Sequence, residues 1–169
     1  MQETARQYTQ RITSHVEGKE PLKVQQATAK RLEQLTKGAD RKKLTKRPAP
    51  DKWSVAEIMA HLADAELVSG WRLRSILSSN GTAVQAFDQN AWATTFNYAE
   101  RDPKASLEVF RVVRETNLAL LKAIPKDLWD NYGMHAERGK ETITHLVKMY
   151  AGHDLNHLAQ IEAIVNKKA

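Results

Sequence analysis

Apolar residues recur at spacings of three and four along five stretches of the chain, each bounded by residues that start or stop helices. Residues 3–17 read as a short amphipathic helix closed by Gly18. Pro21 suits the first turn of the next helix, where Leu22, Ala29, Leu32 and Leu35 mark the buried side until Gly38 ends it. The two prolines of RPAPDKW force an extended connector. Ser54 and Glu57 then supply a capping box for a helix that runs to about residue 79, where SSNGT breaks it. Pro103 opens a further helix whose apolar side carries Leu107, Phe110, Val113, Leu118, Leu121 and Ile124. In the last stretch, Ile143, Leu146, Tyr150, His153, His157, Ile161 and Ile164 keep the same rhythm.

Residues 80–102 contain FDQNAWATTFNYAERD and show neither helical period nor strand alternation over a useful length. They read as an ordered connection anchored by Phe87, Trp92, Phe96 and Tyr98, with room for a short helical turn. Gly133 and Gly139 flank MHAER, which reads as a loop, and no segment reads as a strand. The expected fold is an all-α four-helix bundle with long helices near 21–37, 54–79, 103–123 and 141–166. A short extra N-terminal helix precedes them, and a long crossing connector joins the second and third long helices. At 169 residues the chain reads as a single domain, 1–169, with its core at about 20–166.

Composition narrows the chemistry. Cysteine is absent, which excludes disulfides, thiolate metal ligands and cysteine nucleophiles. The opening MQETARQYTQ has no charged region followed by an apolar one, and no run approaches the length of a membrane span, so a cytoplasmic protein without membrane contact is expected. The net charge of +6 raises the question of nucleic acid, and Lys37 to Arg47 is the densest basic run. No aromatic residue interleaves with it and no recognition helix stands nearby, so it reads as a solvated loop and helix end, and no nucleic-acid partner is expected.

Three histidines stand where a bundle normally places apolar residues. His153 and His157 lie four apart on the last helix, so their rings share one face about 5 to 6 Å apart. His61 lies on a second helix whose inward face also carries Ile58, Leu62 and Ala65. An inward imidazole must find a hydrogen-bond partner or a metal to offset its desolvation. Three imidazoles without a fourth protein ligand leave an ion an open position, the arrangement of a catalytic rather than a structural site. A buried, hydrogen-bonded histidine cluster is the competing reading. HDLNH differs from the metalloprotease HExxH by placing Asp154 after the first histidine. Asp64, Asp154 and Glu57 are candidates to orient an imidazole from behind, with the capping box as the rival role for Glu57. Arg72 and Arg74 are candidates for an anionic substrate, with solvent or dimer contact as the rival reading. His135 is a candidate to swing over the mouth of the bundle, and His145, about 80° round the helix from His153, flanks the core.

KWSVAEIMAHLADAE, GWRLRSIL, FDQNAWA and GHDLNHLAQIEAI, in this order and separation, resemble the DinB/YfiT-like superfamily of four-helix-bundle proteins. The resemblance covers nearly the whole chain from about residue 20, and the family's three ligands fall on His61, His153 and His157. It implies a divalent metal, zinc or nickel among the candidates, with water completing its shell, often in a homodimer. It further implies chemistry of the kind its understood members perform, including S-transfer with low-molecular-weight thiols. The expected function is therefore a metal-dependent enzyme acting on a small-molecule substrate, either a thiol-dependent S-transferase or a hydrolase. A thiol cosubstrate suits a chain without cysteine. A non-catalytic metal- or ligand-binding stress protein is the alternative from another class.

Overall fold

The computed structural model describes residues 3–166. Seven α-helices occur among them: α1 (Ala5–Ser14), α2 (Pro21–Thr36), α3 (Arg41–Thr45), α4 (Val55–Ser78), α5 (Gln89–Thr95), α6 (Pro103–Ala123) and α7 (Ile143–Val165). The four long ones, α2, α4, α6 and α7, form the bundle and begin as the sequence dictates. Pro21 and Pro103 occupy first-turn positions, where a missing N–H costs nothing. At α4 both halves of the capping box are made: Ser54 Oγ accepts from Glu57 N at 3.2 Å, and Glu57 Oε2 accepts from Ser54 N at 2.8 Å. None of the described helices is long and apolar enough to cross a membrane.

Polar contacts fix the directions of the helices. Glu66 of α4 meets Arg114 and Asn117 of α6, and Arg74 also meets Asn117, while Ile58 and Met59 share an apolar cluster with Leu107 and Phe110. Early residues of α4 thus face early residues of α6, and the two run parallel. Gln25, Thr28 and Arg31 of α2 meet Val147, Asp154 and Glu162 of α7 in rising order, making a second parallel pair. The two pairs oppose each other, since Ile161 near the end of α7 shares an apolar cluster with Val55 and Ile58 at the start of α4, and Ile143 and Leu146 share one with Leu73 and Ile76 near its end. Parallel neighbours need a return connection as long as the bundle, which is why the connector after α4 is long.

That connector departs from an unstructured link. It holds α5, and a 3-10 turn at Tyr98–Glu100 whose tyrosine is completely buried. Tyr98 OH donates to Asp64 Oδ2 at 2.8 Å, and Arg101 Nη1 donates to the same oxygen at 2.8 Å, pinning the end of the connector to α4. The expectation of no strand is also corrected. β1 (Ala83–Val84), β2 (Tyr132–His135) and β3 (Gly139–Thr142) form a small sheet in which β2 pairs antiparallel with β3 and parallel with β1. The loop expected at MHAER is therefore a hairpin, with Gly139 at φ 74° closing its turn. The basic run expected as loop contains α3, anchored by the buried Leu44.

α1 lies across α7, and Gly152 makes that approach feasible: a Cβ there would stand 2.0 Å from the Ile12 carbonyl oxygen. Alanine has a helix propensity better by about 1 kcal/mol, but the atom in the way is backbone and cannot rotate aside. We expect Gly152→Ala to lose about 1–3 kcal/mol, read as a lower denaturant midpoint, and to expose the chain before residue 20 to protease. An unchanged midpoint would show that α1 is not packed in this manner.

Candidate metal centre

His61 of α4 and His153 and His157 of α7 are all buried, and their ring nitrogens converge. His61 Nε2 is 3.0 Å from His153 Nε2, which in turn is 3.2 Å from His157 Nε2. Two nitrogens each about 2.05 Å from one zinc ion stand about 3.3 Å apart at the tetrahedral angle, so this spacing fits a shared ion. A proton shared among three nitrogens satisfies them poorly, because one N–H occupies one lone pair and leaves the others facing. His157 Nδ1 bonds Gln160 Oε1 at 2.8 Å, an acceptor that keeps the proton on Nδ1 and leaves Nε2 free to ligate. Trp53 packs on His61 with ring centroids 5.1 Å apart.

Residues 4–161 match the DinB superfamily. The chain belongs to this family. It is 26% identical over 139 residues to a protein of Halalkalibacterium halodurans named "Putative metal-dependent hydrolase", covering 82% of this chain and 81% of that protein. A protein of Oceanobacillus iheyensis with the same name is 23% identical over 148 residues, covering 88% of this chain and 85% of its own. Among solved structures, YfiT from Bacillus subtilis, described as a probable metal-dependent hydrolase with an unusual four-helix bundle topology, superposes with a TM-score of 0.80. That match has 21% sequence identity and covers 85% of this chain and 83% of YfiT, so it supports the shared fold.

Against this DinB fold the remaining expected site residues separate. None of the three carboxylates hydrogen-bonds an imidazole. Asp64 holds Tyr98 and Arg101, and Glu57 is occupied by its cap and by Arg47. Asp154 is bound by Arg114 and Thr28, which removes it as an equivalent of the metalloprotease base. The residue behind an imidazole is instead Gln160, whose i,i+3 spacing from His157 was legible in the chain. His135 does not swing over the bundle: it is buried on β2, and its Nδ1 accepts from Glu137 N at 3.1 Å and from Arg138 N at 3.3 Å. Arg74 turns to Gly70 O and Asn117 Oδ1, away from the histidines, whereas Arg72 is buried and lines a cavity with them. His145 stays outside the cluster.

Two cavities reach the three rings. One of about 460 Å³ opens on His61 and His153, with Tyr8 of α1, Phe87 of the connector, and Met149 and Tyr150 of α7 in its wall. Another, of about 650 Å³, reaches His157 beside Trp53, Ile58 and Gln160. Gln89, at the start of α5, borders both, so the connector that Asp64 pins also shapes access to the site.

Burial holds His61 and His153 well below the ordinary imidazole value of 6.5, reinforced by the neighbouring rings, and burial also pulls His157 down to about 4. All three are therefore neutral at pH 7, the form that ligates. An unfolded chain takes up protons on these rings below about 6.5, and the folded chain only at lower pH, so the folded state loses stability as pH falls from about 6.5 toward 4. The loss is confined to pH below the ordinary imidazole range, and above it the rings add no pH dependence. Chelator-treated protein should show a denaturant midpoint that declines across this range, more steeply than in His157→Leu. Equal slopes would mean that His157 is not held neutral by the fold.

Proposed function

We propose that this DinB-superfamily protein is a divalent-metal-dependent hydrolase of a small molecule, in which His61, His153 and His157 hold zinc or nickel. The observation that carries the reading is the contact of His153 Nε2 with both partner nitrogens inside the core, a donor set of three neutral rings with no other cation-satisfying role. The metal-dependent hydrolase names of its relatives support the same reaction class. When bound, the ion supplies Lewis acidity and makes a nucleophile from water near neutral pH. The chain's own work is positional. Gln160 fixes the tautomer of His157, Trp53 packs His61 in place, and Met149 and Phe87 in the wall of the smaller cavity limit competing water.

A second reading, transfer of a low-molecular-weight thiol, is favoured by one observation: two separate cavities reach the histidines, which gives room for two reactants. The exposed Leu67, Trp71 and Met134 border one groove on the flank of α4 and supply the apolar contact of a homodimer. The protein would act in the cytoplasm.

Titration with zinc and nickel tests the centre. We expect His157→Ala to weaken binding by more than about 100-fold and Gln160→Leu by about 10–100-fold, with helical content retained in both. Affinities equal to wild type would place the ion elsewhere. Metal-loaded protein is then offered esters, amides and phosphoesters with and without an added thiol. Turnover without thiol supports the hydrolase, turnover only with thiol supports transfer, and tight metal binding without any turnover would leave a binding protein. For the dimer, Trp71→Glu should convert a sedimenting dimer into monomer; a wild type that already sediments as monomer refutes that contact.

A further inference from the structure

Arg72 is unusual among the buried arginines. The other buried arginine, Arg114, faces Asp154 and Glu66, and the partly buried Arg138 faces Glu141, so each of those cations has a carboxylate beside it. Arg72 is 4% exposed and meets no carboxylate among the described residues. Its Nη1 donates to Tyr150 OH at 3.3 Å, its Nη2 donates to Gln85 O, and its Nε, like that of Arg114, has no partner. Neutral acceptors do not cancel a buried charge, and an uncompensated cation is among the most costly groups to enclose.

The group beside it sharpens the point. His135 Nε2 stands 3.5 Å from Arg72 Nη2. His135 Nδ1 already accepts from two backbone N–H groups, so the neutral ring carries its proton on Nε2. That nitrogen is a donor facing a donor. Tyr150, having accepted from Arg72, has its own hydroxyl proton left to give. A guanidinium, an imidazole N–H and a phenol thus gather around one place without an anionic acceptor. Arg72 and Tyr150 line the same cavity as His61 and His153, and the ring centroids of Tyr150 and His153 are 6.3 Å apart. On α4, Arg72 follows His61 by eleven residues, about three turns, which returns it to nearly the same face. The rest of the wall mixes the apolar Ala65, Phe87, Leu146 and Met149 with Tyr8, Gln89 and Arg138, the last already paired with Glu141. Of the two acids at the border, Glu3 is paired with Arg11 at 2.8 Å and Glu137 is exposed at the rim.

We infer that this cavity takes a small organic acid, its carboxylate held by Arg72 with Tyr150 as a further donor and its body extending toward His61 and His153, while His135, outside the cavity lining, stands behind Arg72. The inference names the substrate class for the hydrolase reading and rests on that reading only for the reaction at the far end. Charge-assisted, two-pronged binding of an oxyanion is what a guanidinium does best. The cavity of about 460 Å³ suits a compact molecule with an apolar body.

The test uses chelator-treated protein, so that a carboxylate cannot bind through a metal. Propionate, benzoate and succinate, with benzamide as uncharged control and inorganic phosphate as a second anion, are titrated by tryptophan fluorescence and thermal shift. We expect at least one carboxylate to bind at least tenfold more tightly than benzamide and phosphate, and Arg72→Met to lose at least tenfold of that affinity. Arg72→Lys, which keeps the charge without the fork, should fall between them. Without ligand, Arg72→Met should melt higher than wild type because an uncompensated charge is gone, whereas Arg114→Met should melt lower. Binding of no carboxylate, preference for phosphate, full affinity in Arg72→Met, or a lower melting point in that variant would each overturn the inference. Zinc affinity of Arg72→Met should equal that of wild type. Carboxylate binding in a protein that fails to bind zinc would retain this site and remove the hydrolase reading, and the reverse result would do the opposite.

Discussion

All four long helices meet at one guanidinium. Arg114 of α6 bonds Asp154 of α7 through both terminal nitrogens, Glu66 of α4 through one, and the carbonyl of Gln25 on α2 through the other. Burial alone would pull this guanidinium down, but Asp154 and Glu66 outweigh it and hold it above its ordinary value. Thr28 also donates to Asp154 Oδ2, and Asn117 donates to the remaining oxygen of Glu66. A buried ionic network of this kind adds less net stability than an apolar core of equal volume. Breaking it by removing one partner costs about 3–5 kcal/mol, so it discriminates strongly between registers. A slip of α7 past α4 by one turn, tolerable for leucines, would strand two charges in the core.

The convergence of the histidines depends on this register. Asp154 follows His153 directly, so the bond that fastens Asp154 to Arg114 also fixes how far along α7 the first imidazole sits. Glu66 lies five residues beyond His61 and does the same for α4. The imidazoles themselves contribute little to holding the helices together, being neutral rings enclosed at a cost. Two neighbouring polar clusters thus differ in kind: in one, the charges are paired within the chain, and in the other, three neutral rings converge with a geometry that could hold an ion.

Much of this was legible in the chain because it is local. The capping box at Ser54 and Glu57, the prolines at the starts of α2 and α6, and the histidines within an apolar stripe are short-range signals, and helix boundaries followed to within a few residues. The sheet was not legible. β2 and β3 have four residues each and β1 has two, too few for alternation to rise above irregular structure, and β1 finds its partner some fifty residues away. The roles of Asp64 and Asp154 were hidden for the same reason, since Arg101 and Arg114 reach them only through the fold. Arg72 and Arg74, by contrast, were separable in advance: two residues apart on a helix, they point about 200° from each other and cannot line one cavity together.

α4 is one unbroken helix, and it carries His61, Glu66 and Arg72 on a single rigid rod. Inserting or deleting one residue between any two of them would rotate the second by about 100° and shift it by about 1.5 Å, separating it from its partners on α6 and α7. Lineages derived from such a chain can therefore alter this rod by exchange of residues but hardly by change of length. The stretch after α4 is free of that restriction, because its loops can lengthen at small entropic cost while Asp64 keeps its far end moored. Phe87 and Gln89 lie on it and border the cavities. The lining of the cavities can accordingly change through indels in one segment while the three histidines keep their places, a separation of variable wall from fixed centre along one chain.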